Sequence, residues 1–356
     1  MNKRLAELRN SFSQYQIDAL LVSNPLNYYY LSGFSGSSGE LVIDREKAYL
    51  LTDFRYKEQA KEQRPGFQII EIKGDIYSSL SRLLKERKIE RLGCETDYLT
   101  YNRFSTLTSK LAPVRTVPVT GAVQKLRAVK NPEEINAIAE SMAILDRALS
   151  NMISKLKPGI SEGEIALELE FFARRQGAAE KAFDFIVASG PRSALPHGTA
   201  SSRTLQPGDL VTIDFGVMYR GYASDMTRTF AVQSDNARQR EIYSIVLEAQ
   251  SAGLSAVRAG VKASDVDRAA REVIERYGYG PNFGHSTGHG VGLEVHENPR
   301  LSEKDDTVLE TGMVVTVEPG IYIPRWGGVR IEDTVVVEDN GCRILGHFPK
   351  DRLICT

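Results

Sequence analysis

Short runs of aliphatic and β-branched residues alternate with amphipathic stretches along the first third of the chain. The pattern predicts strands at 18–23, 41–44, 48–52, 67–72 and 91–95, and helices at 56–63, 77–88 and 101–111. The alternating pattern ends near residues 113–121, where Pro, Val and Thr dominate. This alternation predicts an α/β domain with its own core, which we place at residues 1–125.

A new helix start marks a second domain, which we place at residues 126–356. Asn131 can cap the helix, Pro132 suits its first turn, and Glu134 stands where a capping box has its acid. Apolar residues then recur at helical spacing from Ile135 to Leu149. Strands are predicted later at 209–215, 313–318 and 333–337, between further helices.

The second domain contains an internal repeat. LQPGDLVTIDFG at 205–216 matches LETGMVVTVEPG at 309–320, and the stretch 157–177 is echoed at 258–278. Asp214 and Glu318 occupy the same place in the two copies, and a second acid follows each, Asp225 and Glu332. The repeat predicts two similar α/β halves about a pseudo-two-fold axis, each bringing two acids to a shared centre.

Bulk properties narrow the class of protein. A chain of 356 residues favours two domains, and a formal net charge of −1 argues against a nucleic-acid partner. The chain starts with an amphipathic helix pattern that lacks a signal-peptide core, and nowhere do 18 apolar residues run together. The three cysteines are odd in number and lack the spacing of metal ligands, which indicates a reducing compartment. Together these features predict a cytoplasmic protein without a membrane span.

The paired acids are hard to explain without cations. A lone acid at a strand end is usually a cap or a turn residue, and this reading suits Asp214 or Glu318 taken singly. Two repeats that supply acids at the same place change the interpretation. Four carboxylates converging in a partly buried site would repel one another, and two divalent cations would remove that repulsion.

The histidines point to the same centre. Three of only five lie at 285, 289 and 296, in a segment whose glycines oppose a helical zinc motif and favour an extended, glycine-rich strand. His197 lies on a loop shortly before the first copy of the repeat. His347, in the tail, is interpreted as structural.

Five ordered motifs resemble a known family. They are TID214FG, SD225MTRT, GH289GVGLEVH296E, TVE318PG and GVR330IE332D. Together they resemble the pita-bread metallopeptidases, and within these the proline-specific branch of prolidase and aminopeptidase P, which carries a creatinase-like first domain. The likeness covers nearly the whole chain and implies an α/β (α+β) fold of two domains.

The resemblance implies two divalent metal ions per chain. Asp225 and Glu332 would bridge the ions, Asp214 would complete one coordination sphere, and His289 with Glu318 the other. Four oxygen ligands and one imidazole suit Mn²⁺ or Co²⁺, with Fe²⁺ and Zn²⁺ as further candidates. A metal pair of this kind acidifies water and polarises the scissile carbonyl.

The resemblance also implies roles for groups around the ions. Glu318 would act as a general base as well as a ligand. His285 and His296 would contact the substrate and stabilise the tetrahedral oxyanion, with His197 closing the other side. Arg330 would steady the metal carboxylates. The plain alternatives are packing for His285, a turn for His197 and a surface charge for Arg330.

The expected substrate is a small peptide with proline after the scissile bond. Arg300 would hold the carboxylate of a dipeptide, which favours a dipeptidase over an aminopeptidase; its plain alternative is a solvated surface residue. Methionine aminopeptidases usually lack the first domain, and creatine hydrolases and non-enzymatic binding modules of this fold lack metal ligands. A homodimer is expected from the resemblance. Residues 53–56 either cap a helix or reach a partner's active site, and Trp326 has no assigned role.

Overall fold

The computed structural model describes residues 3–63 and 66–356. The chain divides into two compact units, Met1–Arg127 and Ala128–Thr356. Within those described ranges, no helix is both long enough and apolar enough to cross a bilayer.

The first unit is built around a six-stranded mixed sheet of order β4-β3-β2-β1-β5-β6. Its strands are β1 (Ala19–Val22), β2 (Glu40–Asp44), β3 (Ala48–Thr52), β4 (Gln68–Glu71), β5 (Arg91–Glu95) and β6 (Arg115–Val119). Its helices are α1 (Lys3–Asn10), α2 (Phe12–Tyr15), α3 (Pro25–Ser32), α4 (Lys57–Gln63), α5 (Ile76–Glu86), α6 (Tyr101–Lys110) and α7 (Ala122–Ala128).

Most predicted elements of this unit are confirmed, because its central strands are continuous apolar runs buried on both faces. Four elements of this unit were not predicted, α2, α3, β6 and α7. Helix α3 is capped by Asn24 and has Pro25 in its first turn, but its aromatic run lacks helical periodicity and is held by burial. Strand β6 contains Pro118, which is tolerated because β6 lies at the edge of the sheet.

The segment 53–56 forms a tight turn before α4. Asp53 accepts hydrogen bonds from the backbone and the guanidinium of Arg55, at 3.0 Å and 2.8 Å, and Phe54 is exposed.

The second unit contains four long helices, α8 (Pro132–Met152), α9 (Glu162–Arg175), α10 (Ala237–Ala256) and α11 (Ala263–Arg276). Its strands are β7 (Glu180–Lys181), β8 (Ile186–Ser189), β9 (Leu210–Phe215), β10 (Val217–Tyr219), β11 (Tyr222–Ala223), β12 (Met226–Ala231), β13 (Gly288–Gly290), β14 (Glu297–Leu301), β15 (Val314–Val317), β16 (Gly320–Ile323), β17 (Gly327–Arg330), β18 (Asp333–Glu338), β19 (Gly341–Ile344) and β20 (Ile354–Cys355). The capping box predicted at the start of α8 is confirmed: Asn131 and Glu134 each bond the other's backbone N–H.

The internal repeat appears as two similar halves. In the first, β9 pairs antiparallel with β8 and β12, and in the second, β15 pairs antiparallel with β13 and β18. A pair of helices precedes each set, α8 with α9 and α10 with α11. Equivalent turns use glycine at positive φ, as at Gly208 (82°) and Gly312 (92°). The predicted duplication is therefore present in the fold.

The glycine-rich segment differs from its prediction. Only Gly288–Gly290 is a strand, and residues 291–296 form a loop before β14. A Cβ at Gly288 would lie 2.0 Å from the Thr316 carbonyl oxygen, so glycine is needed for β13 to approach β15 this closely. The glycines predict that the segment is not a helix, and the structure confirms this.

Candidate metal centre

The four paired acids stand at corresponding strand ends. Asp214 is the last residue but one of β9, and Glu318 directly follows β15. Asp225 and Glu332 come directly before β12 and β18. Because β9 pairs with β12 and β15 with β18, each half brings its two acids to the same end of its ladder. All four line one cavity of about 350 Å³.

His289 completes the cluster. Ligand atoms of Asp225, His289 and Glu332 lie within 4.8 Å of one another. The Nε2 atom of His289 is 3.6 Å from Asp225 Oδ2 and 3.4 Å from Glu318 Oε1. Its Nδ1 lies 3.0 Å from the Gly290 carbonyl oxygen, an arrangement that places the proton on Nδ1 and directs the Nε2 lone pair at the acids.

The electrostatics of this cluster fit bound cations. Burial and the neighbouring carboxylates raise the pKa values of Asp225 and Glu332 well above their ordinary range, and burial raises the pKa of Glu318 to about 8. Burial lowers the pKa of His289 to about 4, which keeps its imidazole neutral, as a metal ligand must be. The carboxylates cannot all be charged without compensating positive charge.

One atom supports the same conclusion independently. Oδ1 of Asp214 is buried and has no hydrogen-bond partner among the described residues. A buried carboxylate oxygen normally accepts a hydrogen bond or coordinates a cation. The donor set therefore fits divalent metal ions held by oxygen and imidazole ligands.

Threonine hydroxyls orient the acids from the neighbouring strands. Thr227 donates to Glu332 Oε2 at 2.7 Å, and Thr334 donates to the backbone carbonyl of Asp225 at 2.8 Å. Thr316 lies 3.3 Å from Glu318 Oε1 and accepts the backbone N–H of His289 at 3.1 Å. These bonds fix the carboxylates before any ion binds.

Arg330 connects several parts of the site. Its guanidinium is 3% exposed and donates to Asp214 Oδ2 at 2.7 Å, to the Tyr322 hydroxyl at 2.7 Å and to the Pro196 carbonyl at 3.3 Å. The surface-charge alternative for Arg330 is therefore ruled out by its position. Because Pro196 precedes His197, the same guanidinium also holds the loop that carries this histidine.

Tyr322 is a site residue that sequence reasoning missed. Its hydroxyl accepts from Arg330 and lies 2.8 Å from His285 Nε2, while His285 Nδ1 lies 2.8 Å from the Ser286 carbonyl. Burial lowers the pKa of His285 to about 4 and raises the pKa of Tyr322 to about 12. No sequence motif marks Tyr322, which the structure pairs with Gly328 in the hairpin of β16 and β17.

The structure brings every predicted site residue to the wall of one cavity. They are His197, Asp214, Asp225, His285, His289, His296, Arg300, Glu318, Arg330 and Glu332. The His289 and His296 rings lie 4.3 Å apart between centroids, and Arg300 stands opposite His289 in the pairing of β13 with β14. Residues opposite each other in an antiparallel pair share a face, so Arg300 and His289 both face the cavity.

An apolar wall of the cavity was also missed. Phe183, Ile186 and Pro196 line it, together with Asp184 and Thr199. No motif in the sequence marks these residues. Ile186 begins β8 and stands opposite Asp214 of β9, while Phe183 precedes that strand and Pro196 follows it. Trp326, by contrast, packs under Arg238, whose guanidinium carbon is 4.8 Å from its ring, and it is not among the cavity residues.

Two residues of α11 anchor the histidine segment. Asp267 is fully buried and accepts from the backbone N–H and hydroxyl of Thr287 at 2.9 Å and 2.8 Å. Arg271 bonds Asp267 and donates to the His285 carbonyl at 2.9 Å. Since the Thr287 carbonyl accepts the N–H of Glu318 at 2.7 Å, this helix also fixes a metal-facing acid.

Comparison with known proteins agrees with this geometry. Residues 136–339 match Metallopeptidase family M24, and residues 4–129 match the Creatinase/Prolidase N-terminal domain. The chain belongs to metallopeptidase family M24. The predicted fold class is confirmed, a creatinase-like α/β domain followed by a pita-bread domain, and so is the prediction of a metallopeptidase. Family membership implies divalent metal ions, and the Asp225–His289–Glu332 cluster offers ligands for them.

Individual relatives are proline-specific peptidases. An Xaa-Pro dipeptidase of Pyrococcus furiosus is 42% identical over 354 residues, covering 99% of this chain and 100% of that protein. The structure of an Xaa-Pro dipeptidase from Bacillus anthracis matches with a TM-score of 0.97 at 45% identity, covering 99% of each chain. The structure of an X-Pro aminopeptidase from Thermotoga maritima matches with a TM-score of 0.90 at 38% identity, covering 98% of this chain and 100% of that one.

Proposed function

We propose that this chain hydrolyses Xaa-Pro peptide bonds with the help of two divalent metal ions, and that dipeptides are its preferred substrates. The observation that carries the proposal is one cavity lined by the four paired acids, the three histidines of the 285–296 segment and Arg300. The close similarity to Xaa-Pro dipeptidases supports the substrate class. The catalytic unit in this proposal is the domain at 126–356, preceded by the domain at 1–125.

The ligand assignment follows the resemblance. Asp225 and Glu332 would serve both ions, Asp214 would hold one, and His289 with Glu318 would hold the other. The buried, unbonded oxygen of Asp214 and the neutral His289 support this assignment. Four carboxylates and one imidazole favour Mn²⁺ or Co²⁺ over metals that select thiolates, with Fe²⁺ and Zn²⁺ as weaker candidates.

The bound metals would supply a Lewis acid for the scissile carbonyl and an acidified water at neutral pH. The remaining work belongs to protein groups. Glu318 would accept a proton as general base. His296 donates a hydrogen bond to the developing oxyanion, and His197 closes the cavity from the loop held by Arg330.

The structure gives His285 two hydrogen-bond partners that the resemblance does not imply. Both of its ring nitrogens already have protein partners, Ser286 and Tyr322, so in this proposal the oxyanion is stabilised by His296 and not by His285. Its substrate contact stays a prediction.

The preference for dipeptides rests on Arg300. In a dipeptide the carboxylate lies one residue from the scissile bond, where a guanidinium at the cavity wall can bind it. A longer peptide has a neutral amide at that point. An Xaa-Pro aminopeptidase is the alternative, and it is favoured by the similarity to the Thermotoga maritima structure.

We further propose that the protein acts in the cytoplasm as a homodimer. Three free cysteines without a disulfide support a reducing compartment.

One panel of substrates tests the function. Purified protein loaded with Mn²⁺ or Co²⁺ is assayed on Ala-Pro, Ala-Pro-Ala and Ala-Ala-Ala. The proposal expects cleavage of Ala-Pro, slower cleavage of Ala-Pro-Ala and none of Ala-Ala-Ala. Faster cleavage of Ala-Pro-Ala would select the aminopeptidase, and equal cleavage of Ala-Ala-Ala would overturn the proline specificity.

A further inference from the structure

A buried ion pair lies behind the loop that carries His296. Lys130 Nζ is 3.1 Å from Glu297 Oε2, and the two side chains are 1% and 6% exposed. Lysine is strongly hydrated in water and is almost never fully buried unless it is paired. Burial of both charges is costly, so this pair is not explained by ordinary surface electrostatics.

Lys130 is fixed to the second half of the repeat. It lies in the short connection between α7 and α8, where its backbone N–H donates to the Gly312 carbonyl at 2.9 Å. The preceding Val129 forms a bridge with Met313, directly before β15. Its ammonium also donates to the Ala128 carbonyl at 3.2 Å. The charge is therefore held in place relative to β15, the strand that Glu318 directly follows.

Glu297 is fixed to the loop at 291–296. It is the first residue of β14 and follows His296 directly. Its Oε1 accepts the backbone N–H of Glu294 at 3.2 Å, and a Cβ at Gly292 would lie 2.5 Å from its Oε2. The loop thus folds around the carboxylate, and Gly292 is needed to let the backbone come this close.

Other hydrogen bonds fasten the start of the loop to its neighbours. Its start is bonded through Val291 to the Val314 carbonyl at 3.0 Å, and the Gly292 carbonyl accepts from Ala223 at 2.8 Å. Beyond these, the Glu297 carboxylate joins the loop's end to its middle and, through Lys130, to the segment before β15. His296, whose ring centroid lies 4.3 Å from that of His289, directly precedes Glu297 in the chain.

We propose that the Lys130–Glu297 pair positions His296 for the reaction, as a pair of positioning residues that do not touch the substrate. The inference rests on the proposed function, since it assigns the pair a part in that reaction. It predicts that loss of the pair lowers kcat through His296 and leaves the metal ligands in place.

The variant Lys130→Met/Glu297→Gln removes both charges together, which avoids leaving one charge buried alone. We expect it to lower kcat for Ala-Pro by about tenfold with KM changed less than about twofold. In a His296→Ala background the same pair of substitutions should change kcat by less than about twofold, because its effect acts through that side chain. An equal loss of kcat in both backgrounds would show a general structural role and overturn the proposal.

A matched control is available in the same domain. Lys262 and Asp306 also form a lysine–carboxylate pair at 3.3 Å, but their side chains are 51% and 77% exposed. Lys262→Met/Asp306→Asn should leave kcat unchanged. Bound metal per chain should match the parent protein in both double variants, and metal loss from Lys130→Met/Glu297→Gln would contradict the inference.

A second readout does not depend on activity. The protein has five histidines, so ¹³C-labelled histidine in the Zn²⁺-loaded chain gives few ring signals to assign. The Lys130→Met/Glu297→Gln variant should shift or broaden the His296 signal and leave the His347 signal unchanged. An unchanged His296 signal overturns the inference even if the enzyme is active, whereas a shifted signal in a protein that cuts no Xaa-Pro peptide contradicts only the proposed function.

If the double variant does not fold, Gly292→Ala replaces it. The added methyl group would displace the Glu297 carboxylate without removing either charge. The same fall in kcat, dependent on His296 in the same way, is expected, and no fall would overturn the proposal.

Discussion

Arg330 and Asp214 form a buried pair in which only one carboxylate oxygen is used. Nη2 of Arg330 donates to Oδ2 of Asp214 at 2.7 Å, while Oδ1 is buried without a hydrogen-bond partner among the described residues. The arginine thus fixes the direction of the carboxylate and leaves its second oxygen for a cation. Arg330→Lys would keep the charge but lose the fork that also bonds Tyr322.

Metal dependence is the first prediction. Chelation should abolish peptidase activity, and added Mn²⁺ or Co²⁺ should restore it. Asp225→Asn should lower both metal content and kcat, because a bridging carboxylate serves two ions. Metal analysis and steady-state kinetics measure the two effects, and an Asn variant with parental activity and metal content would refute the dinuclear arrangement.

The histidines should separate into two classes. His296→Ala should lower kcat by about 10²-fold with both metals retained, as expected for loss of a transition-state donor. His289→Ala should instead release at least one metal, since its Nε2 faces Asp225 and Glu318. Equal metal loss in the two variants would mean that the two roles are assigned incorrectly.

Arg300 should decide the length of the substrate. Arg300→Ala should raise KM for Ala-Pro by about tenfold, or about 1.4 kcal/mol, because the dipeptide carboxylate loses its partner. Cleavage of Ala-Pro-Ala should barely change. A comparable rise in KM for both peptides would show that Arg300 does not recognise the carboxylate.

The metal-free protein should lose stability as the pH rises. Glu318, with its pKa raised to about 8, binds a proton in the folded state that the unfolded chain has released above about pH 4.5. Between these values the folded state binds more protons, so the free energy of unfolding falls with increasing pH. Melting temperatures of chelated protein should therefore decrease from pH 7 to pH 8, a range above that in which His285 and His289, with their lowered pKa values, contribute an opposite trend.

Metal binding should reverse that dependence. Ions displace the protons, so metal affinity should increase over the same range, with proton release measurable by calorimetry in buffers of different ionisation enthalpy. A chelated protein whose melting temperature rises across this range would contradict the raised pKa.

Gly288 should not tolerate a side chain. A methyl group there would meet the Thr316 carbonyl and push β13 from β15, which we expect to cost about 1–3 kcal/mol and to weaken metal binding at His289. Gly284→Ala is the control, because a Cβ there meets nothing within 4 Å. Chemical unfolding and metal titration measure both variants, and similar values for the two would refute the packing argument.

Local patterns predicted the parts of the fold that depend on neighbouring residues. The capping box at Asn131 and the buried strand at 48–52 are formed within a few residues, and both are confirmed. The repeated acids and the histidines could be found because each follows a recognisable strand or motif, and the structure brings them together.

What could not be predicted depends on contacts far apart in sequence. Tyr322 enters the site only through the hairpin that pairs it with Gly328. Lys130 and Glu297 are 167 positions apart in the sequence, and no local pattern around either residue predicts that they form a pair. The apolar wall at Phe183 forms in the same way, from a loop whose sequence carries no motif.

The division of the ligands between the two halves has a consequence for assembly. Asp214 and Asp225 come from one copy of the repeat, and His289, Glu318 and Glu332 from the other. Ions bound by both sets would act as cross-links, so their release should loosen β9 and β15 together in hydrogen exchange. Two separately expressed fragments, divided between β12 and α10, should then associate more tightly with metal than without it.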